Sequence, residues 1–381
     1  MIWLFRGLLA LAVLGWVVGL AKIERRRRNP VWSLGPDSEP APDTCSVSVI
    51  IPARNEVGNL GPCLDAVLAQ DHPALEVVVL DDASTDGTTD VLRSRAAEDE
   101  RIKPVFGGDE PPDGWFGKPW ALERAQREAR GDWLVFVDAD VRLHRTAISR
   151  IVGYGEREGV GMVSGIGRLV METFWERVMQ PAVAGLILAG NDLDEVNDPD
   201  KPDKVMANGQ LIAVRRTAYE ALGRHEAVQG AVIEDVAIAK AAVGAEQGYR
   251  FLLLRELFEC RMYTSFGEIW QGWSKNLFAG MHYSWGILFA VLVWLVVQVL
   301  SGPLLLGLGA FGILSEEWLW WGAILTVLMQ GVRLRMDLIW GLPPLYGITH
   351  APATLGVMGI LLNSGIQHIR GGVAWKGRMV R

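Results

Sequence analysis

Cysteine is scarce in this 381-residue chain, which has three, Cys45, Cys63 and Cys260. An odd and scattered set fits neither a disulfide framework nor zinc-ligand spacing, and it implies a reducing compartment. Histidine is scarce too. The six show no metal-ligand spacing, and His144, His225 and His282 are read as packing or surface residues. A contiguous basic face is missing. The formal net charge of −7 hides acids gathered in the middle and bases beside apolar stretches, which argues against a nucleic-acid partner. No G-x-G-x-x-G comes after the first predicted strand, where the residues are PARNE. A Rossmann dinucleotide site, which cradles pyrophosphate on glycines, is therefore not expected.

What is plentiful is apolar surface. Half the residues are hydrophobic, mean hydropathy is +0.19 and there are 16 Trp. MIWLFRGLLALAVLGWVVGL opens the chain, interrupted only by Arg6, and Arg25, Arg26, Arg27 and Arg28 come next. A secretory signal carries its charge ahead of the apolar run and ends in a small-residue cleavage site. Here the main charge comes after, so residues 1–28 are expected to be a retained anchor. The arginines place the downstream chain in the cytoplasm. A polar linker, 29–45, leads to the middle of the chain.

The C-terminal third is also membrane-like. Residues 285–315 carry no formal charge and contain Ser301-Gly302-Pro303. One helix of that length would span roughly 45 Å, more than a hydrocarbon core needs, so it is expected to be kinked, tilted or divided. A shorter span is expected over 318–332, between Glu316-Glu317 and Arg333 with Arg335. A third apolar region, 338–366, is broken at Pro343-Pro344. The tail, 370–381, carries Arg370, Lys376, Arg378 and Arg381 and again suggests the cytoplasm. The pattern predicts an interfacial region at 263–284 and transmembrane helices within 285–369 of a multi-pass inner-membrane protein. The number of crossings stays open.

Residues 46–262 change to alternating strands and helices. SVSVII (46–51), LEVVVL (75–80) and WLVFV (133–137) read as strands, and 60–69, 91–97 and 118–129 as helices. Short β-branched runs between helices predict an α/β domain with a mostly parallel sheet covered on both faces. Ligands of such sheets bind beyond the carboxyl ends of the strands. Asp81 and Asp82 end one strand, and Asp138 and Asp140 end another in FVDAD. Carboxylates would repel a phosphate unless a hard cation stood between them. The arrangement predicts a nucleotide diphosphate bridged by Mg2+ or Mn2+. A lone D-x-D is more often a solvated turn; placed directly after a buried strand it is not.

IPARNE, VLDDASTDGT, GK with WAL after it, VFVDAD and IED, in that order, resemble the family 2 glycosyltransferases of GT-A fold over residues 46–262. GWFGKPWAL, FWERVMQPA, VNDP, GWSKNLF and the closing WKGR are similar to its membrane, lipid-modifying branch: ceramide glucosyltransferase-like, carotenoid and hopanoid-associated enzymes. The resemblance implies metal-dependent, inverting transfer of a hexose from a nucleotide sugar, UDP-linked by preference, to a lipid acceptor at the cytoplasmic face. It places Glu56 and Asp82 at the base and ribose, where carboxylates accept from hydroxyls and an imide N–H. Asp81 does the same or supports the loop. Lys118 would offset the diphosphate, and Asp138 and Asp140 match the metal motif. Asp235 resembles the general base that takes the acceptor proton, with Glu234 orienting the site. Asn208, Gly209 and Gln210 resemble an acceptor-side loop.

One departure stands out. Processive members carry a Q/R-x-x-R-W tract; here Trp273 fits, Gly272 takes the arginine position, and Lys275 stands one turn on. This weakens a processive polysaccharide synthase. A sugar nucleotidyltransferase would gain nothing from an anchor, and a non-catalytic scaffold would not be expected to keep these acids. Residues 174–189 are too apolar for a surface helix and too short to span. They are read as an interfacial helix or as a core helix of the domain.

Overall fold

The computed structural model describes residues 2–28, 30–108, 110–371, 373–375 and 378–380. Asn29 of the expected linker and Lys376 and Arg381 of the expected basic tail lie outside the described residues, as do the side chains of Arg27 and Arg378.

In chain order the strands are β1 (Val47–Ala53), β2 (Leu75–Asp81), β3 (Ile102–Phe106), β4 (Trp133–Val137), β5 (Val141–Leu143) and β6 (Met162–Ile166). Then come β7 (Arg168–Leu169), β8 (Leu211–Arg215), β9 (Tyr249–Leu253), β10 (Phe258–Cys260), β11 (Val373–Trp375) and β12 (Arg378–Val380). The helices begin with α1 (Ile2–Arg28), α2 (Leu60–Leu68), α3 (Thr88–Glu98), α4 (Gly117–Ala125) and α5 (Ala147–Glu158). Next are α6 (Phe174–Gly190), α7 (Leu193–Val196), α8 (Arg216–Ala221), α9 (Glu234–Gly244) and α10 (Phe266–Gly280). The last are α11 (Trp285–Leu295), α12 (Ser301–Ala310), α13 (Glu316–Trp340) and α14 (His350–Ile369).

Successive residues of a strand face opposite sides. In β1, Val49 and Ile51 join one buried cluster, with Leu60 and Leu64 of α2 and Ile148 and Ile151 of α5. Ile50 joins another, with Leu122 of α4, Tyr219 of α8 and Ile238 of α9. Both faces are therefore covered, as the unbroken apolar runs require. The seven strands run in the order β3-β2-β1-β4-β8-β6-β9. All neighbours are parallel except β8, which is antiparallel to both β4 and β6.

That reversal positions the site. The carboxyl ends of β1, β2 and β4 share one edge, with Ala53 opposite Asp81. Strand β8 enters at the same edge, Leu211 opposite Val137, so the residues just before β8 stand beside those just after β4. A small sheet, β5-β10-β7, sets Cys260 opposite Val141, next to the D-A-D turn.

The expected linker is laid along the sheet rather than loose. Ser33 bridges Leu253 of β9, Leu34 N–H bonds to Leu253 O at 3.1 Å, and Ala41 N–H to Ser149 O at 2.7 Å.

A third buried cluster is purely helical, built from α1, α6 and α10 to α14. Among the described residues, three helices are long and apolar enough to cross a membrane by length and composition: Phe5–Arg26, Trp285–Ala310 and Pro344–Ile369. The stretch from 285 stops at Ala310. A π-helical turn, Val296–Leu300, divides it just before Pro303, whose missing N–H disrupts the regular ladder. The expected short span at 318–332 is part of α13, which is not among those three; Gln330, Arg333 and Arg335 dilute its apolar stretch. The region from 338 begins as the end of α13, and Pro343-Pro344 separates it from α14.

Helix α6 starts on a capping box in which Thr173 and Glu176 satisfy each other's backbone N–H. Its Val178, Met179, Ala182 and Val183 pack in the helical cluster, not under the sheet, while Phe174 and Trp175 are exposed. Ion pairs close the assembly. Arg6 meets Glu317 at 2.6 Å and Arg335 meets Glu24 at 3.3 Å, joining α1 to α13. Lys22 and Arg26 reach Asp192 at 2.7 and 3.0 Å, and Arg25 and the Trp32 indole reach Asp194, joining α1 to α7. Arg261, just past β10, meets Glu176 of α6 at 3.0 Å.

Candidate active site

Lys118 opens α4, Asp138 comes directly after β4, and Glu234 and Asp235 open α9. The Lys118 Nζ lies 2.8 Å from Asp138 Oδ1 and 3.1 Å from Glu234 Oε1. Asp235 is held from both sides: Oδ2 accepts Gly209 N–H at 2.7 Å and Oδ1 accepts Val236 N–H at 2.8 Å. Gly209 is glycine for space, since a Cβ there would lie 3.0 Å from Lys118 Nζ. The loop is braced on the sheet, with Asn208 Nδ2 on Gly165 O at 3.0 Å and Gln210 O accepting Asp138 N–H at 3.1 Å. Lys118, Asp138, Gly209, Glu234, Asp235, Phe136 and His225 line one cavity.

Burial and Glu234 push Asp235 up to about 6, against the pull of Lys118 and the two N–H groups. Burial works against the Lys118 ammonium, but Asp138 and Glu234 outweigh it and hold it charged. Burial would also raise Glu234; Lys118 and Lys275 overcome this and keep it ionised. Lys275, on α10, is depressed by burial while Glu234, Asp235 and Asp138 act to keep its charge. His225 is brought down to about 3 by burial, and its Nδ1 lies 2.6 Å from the Tyr219 hydroxyl, so it is a neutral packing residue.

Asp140 stands beside this cluster. Burial, then Asp138 and Glu56, push it up to about 6. Its Oδ1 is buried and has no hydrogen-bond partner. Among the described residues no three His, Cys, Asp or Glu side chains group to hold a metal by themselves. Two adjacent carboxylates with one buried, undonated oxygen nonetheless fit a hard cation whose other positions are filled by phosphate and water.

Glu56 Oε2 accepts from Asn59 Nδ2 at 2.8 Å. Arg142, which the motifs did not single out, bonds to Ala139 O at 3.1 Å and Asn59 Oδ1 at 3.4 Å, tying the D-A-D turn to the Glu56 loop. Asp81 and Asp82 are buried at the neighbouring strand end. Both Asp81 oxygens are engaged by the next loop, by Ser84 N–H at 3.0 Å and the Thr89 hydroxyl. Asp82 Oδ2 lies 3.6 Å from Arg54 Nη1. Trp273 is not brought to the cluster, because its indole donates to Gln180 Oε1 of α6 at 3.0 Å.

Residues 48–223 match the family model described as Glycosyl transferase family 2. The chain carries a family 2 glycosyl transferase domain. It is a sugar-transferring enzyme, and its mostly parallel sheet, covered on both faces, is the one the sequence pattern predicts. The 4,4'-diaponeurosporenoate glycosyltransferase of Staphylococcus aureus is 26% identical over 309 residues, covering 78% of this glycosyltransferase and 77% of that protein. Among solved structures, the mannosyltransferase PcManGT of Pyrobaculum calidifontis, in complex with GDP-Man and Mn2+, is similar at 20% identity. Its TM-score is 0.49, over 95% of this chain and 99% of that one. The glucosyl-3-phosphoglycerate synthase of Mycobacterium tuberculosis, with Mn2+ and UDP, is similar at 19% identity and TM-score 0.39, over 62% and 80%.

Proposed function

We propose that this glycosyltransferase moves a hexose from a nucleotide sugar, UDP-linked by preference, to a hydroxyl or carboxyl of a membrane lipid, with inversion. The observation that carries the reading is Asp235. Its carboxylate is fixed by two backbone N–H groups, poised at about 6, and set beside a lysine held by two acids. A carboxylate with that value is ionised at neutral pH yet basic enough to take a hydroxyl proton as the oxygen attacks the anomeric carbon. Lys118 lies where it offsets charge developing on the departing diphosphate, and Glu234 holds Lys118. Asp138 and Asp140 would hold Mg2+ or Mn2+, which when bound supplies further positive charge to that diphosphate. Glu56 and Asp82 accept from base and ribose, while Asp81 supports the loop beneath them.

The lipid assignment rests on α10. Its Lys275 faces Glu234, while its Ser274 and Phe278 are hydrogen-bonded to Asn363 and Ser364 of α14, one of the three apolar helices. An acceptor reaching Asp235 along α10 comes from the apolar helices. A relative named for transfer to 4,4'-diaponeurosporenoate supports the same class. The arginines that end α1 support a cytoplasmic face for the domain.

The test is transfer of label from UDP-glucose, with GDP-mannose in parallel, into extracted lipids by membranes holding the full chain. We expect a labelled lipid that disappears with EDTA and returns with Mn2+. For Asp235→Asn we expect a rate lower by about 10²–10⁴ with nucleotide binding retained. Label that survives EDTA removes the metal from the reading, and label only in water-soluble products removes the lipid.

A further inference from the structure

Tyr263 has no part in the roles above, yet it lies just past β10, whose Cys260 stands opposite Val141 beside the D-A-D turn, and Asp140, Asp138 and Lys118 act on its phenol. The residue lies just past β10 in the left-handed region, with φ of +54°. A side chain rarely adopts that conformation, and it persists where the surroundings over-determine it. Here they do. The ring stands edge-on to Trp273, with centroids 6.0 Å apart at 78°. Its hydroxyl end presses on α10 at Gly272, where a Cβ would lie 2.5 Å from the phenol oxygen. Any other residue at 272 would evict the ring.

Gly272 and Lys275 are three residues apart and therefore share one face of α10. Lys275 interacts with Glu234, Asp235 and Asp138, so Tyr263 packs on the face of α10 that carries this ammonium. The approach from below agrees. Two residues that precede Tyr263 closely, Cys260 and Met262, hold Gln210 Nε2 by their sulfurs at 3.2 and 3.4 Å. Gln210 in turn backs Asp138. Asp140, Asp138 and Lys118 all act on the phenol, and burial with Asp140 keeps its proton in place. Asp140 is the carboxylate at the metal end of the cluster rather than at the base. A neutral O–H there donates to an anion that the surrounding carboxylates alone would repel.

We propose that the Tyr263 hydroxyl donates a hydrogen bond to the diphosphate of the bound nucleotide sugar, with Gly272 kept small to seat the ring. The proposal rests on the nucleotide-sugar reading above. It is tested on the full chain in detergent by calorimetric titration with UDP in the presence of Mn2+, for wild type, Tyr263→Phe and Gly272→Ala. Loss of one hydrogen bond to a charged group predicts UDP binding about tenfold weaker in Tyr263→Phe, with unchanged melting temperature and acceptor KM. Gly272→Ala, which displaces the ring, is expected to weaken UDP at least as much. UDP affinity equal to wild type in Tyr263→Phe overturns the proposal, and so does a change confined to the acceptor KM. If the wild type binds neither UDP nor GDP, the nucleotide-sugar reading itself is lost and this inference with it.

Discussion

In the sheet domain, helices and strands meet through large side chains: Trp133, Tyr219 and Phe251 are all fully buried. In the helical cluster, α12 and α13 meet at their glycines, close approaches of a kind the sheet domain also makes, at Gly131 and Gly165. A Cβ on Gly322 of α13 would lie 2.7 Å from Leu306 Cα of α12, and one on Gly302 of α12 would lie 2.9 Å from Thr326 N. The sharper difference is in the polar groups. Among the helices they come as isolated pairs: Trp16 Nε1 donates to Gln298 O at 2.9 Å, Gln298 Nε2 to Ala12 O at 3.0 Å, and Arg333 pairs with Asp337 at 2.8 Å. At the sheet edge five carboxylates, Glu56, Asp138, Asp140, Glu234 and Asp235, surround Lys118 and Lys275. Packing against water rewards bulk, whereas packing against apolar surroundings rewards close backbone contact and neutralised polarity. Against that background, a gathering of more carboxylates than cations marks the site.

The contrast can be broken most severely at Asp337. Asp337→Ala leaves the Arg333 guanidinium buried without its carboxylate, and about 3–5 kcal/mol of stability is expected to go. Thermal melting in detergent measures it, and adding Arg333→Met should restore most of the loss; an unchanged melting temperature for Asp337→Ala would show that the pair is not sealed from water. Gly322→Leu forces α12 from α13 and is expected to cost about 1–3 kcal/mol, while a leucine at an exposed helix position such as Glu220 should leave melting unmoved. The pH profile sharpens the other side. A base poised at about 6 is protonated below that value, so kcat should hold above it and drop about tenfold by one unit below. Asp235→Asn should have a low rate with no such limb.

Much of the sheet was legible because its central strands are short, mostly β-branched runs, with Glu76 the one charge inside β1, β2 or β4 ahead of Asp81, which ends β2. WLVFV was placed to the residue, and the strands at 47 and 75 to within two. Strand β3 was not, since Pro104 and Lys103 in IKPVF obscure its pattern, and neither were β6 and β9. The antiparallel course of β8 has no local signature, although it is what brings Asn208, Gly209 and Gln210 beside Asp138. The acids of the site were readable because they stand in motifs just past a strand end or at the opening of a helix. Arg142 and Tyr263 were missed for the opposite reason: one sits in a three-residue strand and the other just past one, with no motif around either. Trp273 fits the family tract by spacing, but spacing cannot reveal that Gln180, far away in sequence, takes its indole N–H.

The contacts between the two regions form a closed circuit. From the sheet they pass through Arg261 and Glu176 to α6, through Met179 and Gly356 to α14, and across α13 to α1. They then return through Asp192, Asp194 and Asn197 to β9. An open chain of rigid bars can fold at any joint; a ring of them can fold only if several joints turn together. Among the described residues the domain is therefore held to the helices at more than one place, and a tilt would have to break the Arg261–Glu176 and Lys22–Asp192 contacts together, so the height of Asp235 above the helices is expected to vary little.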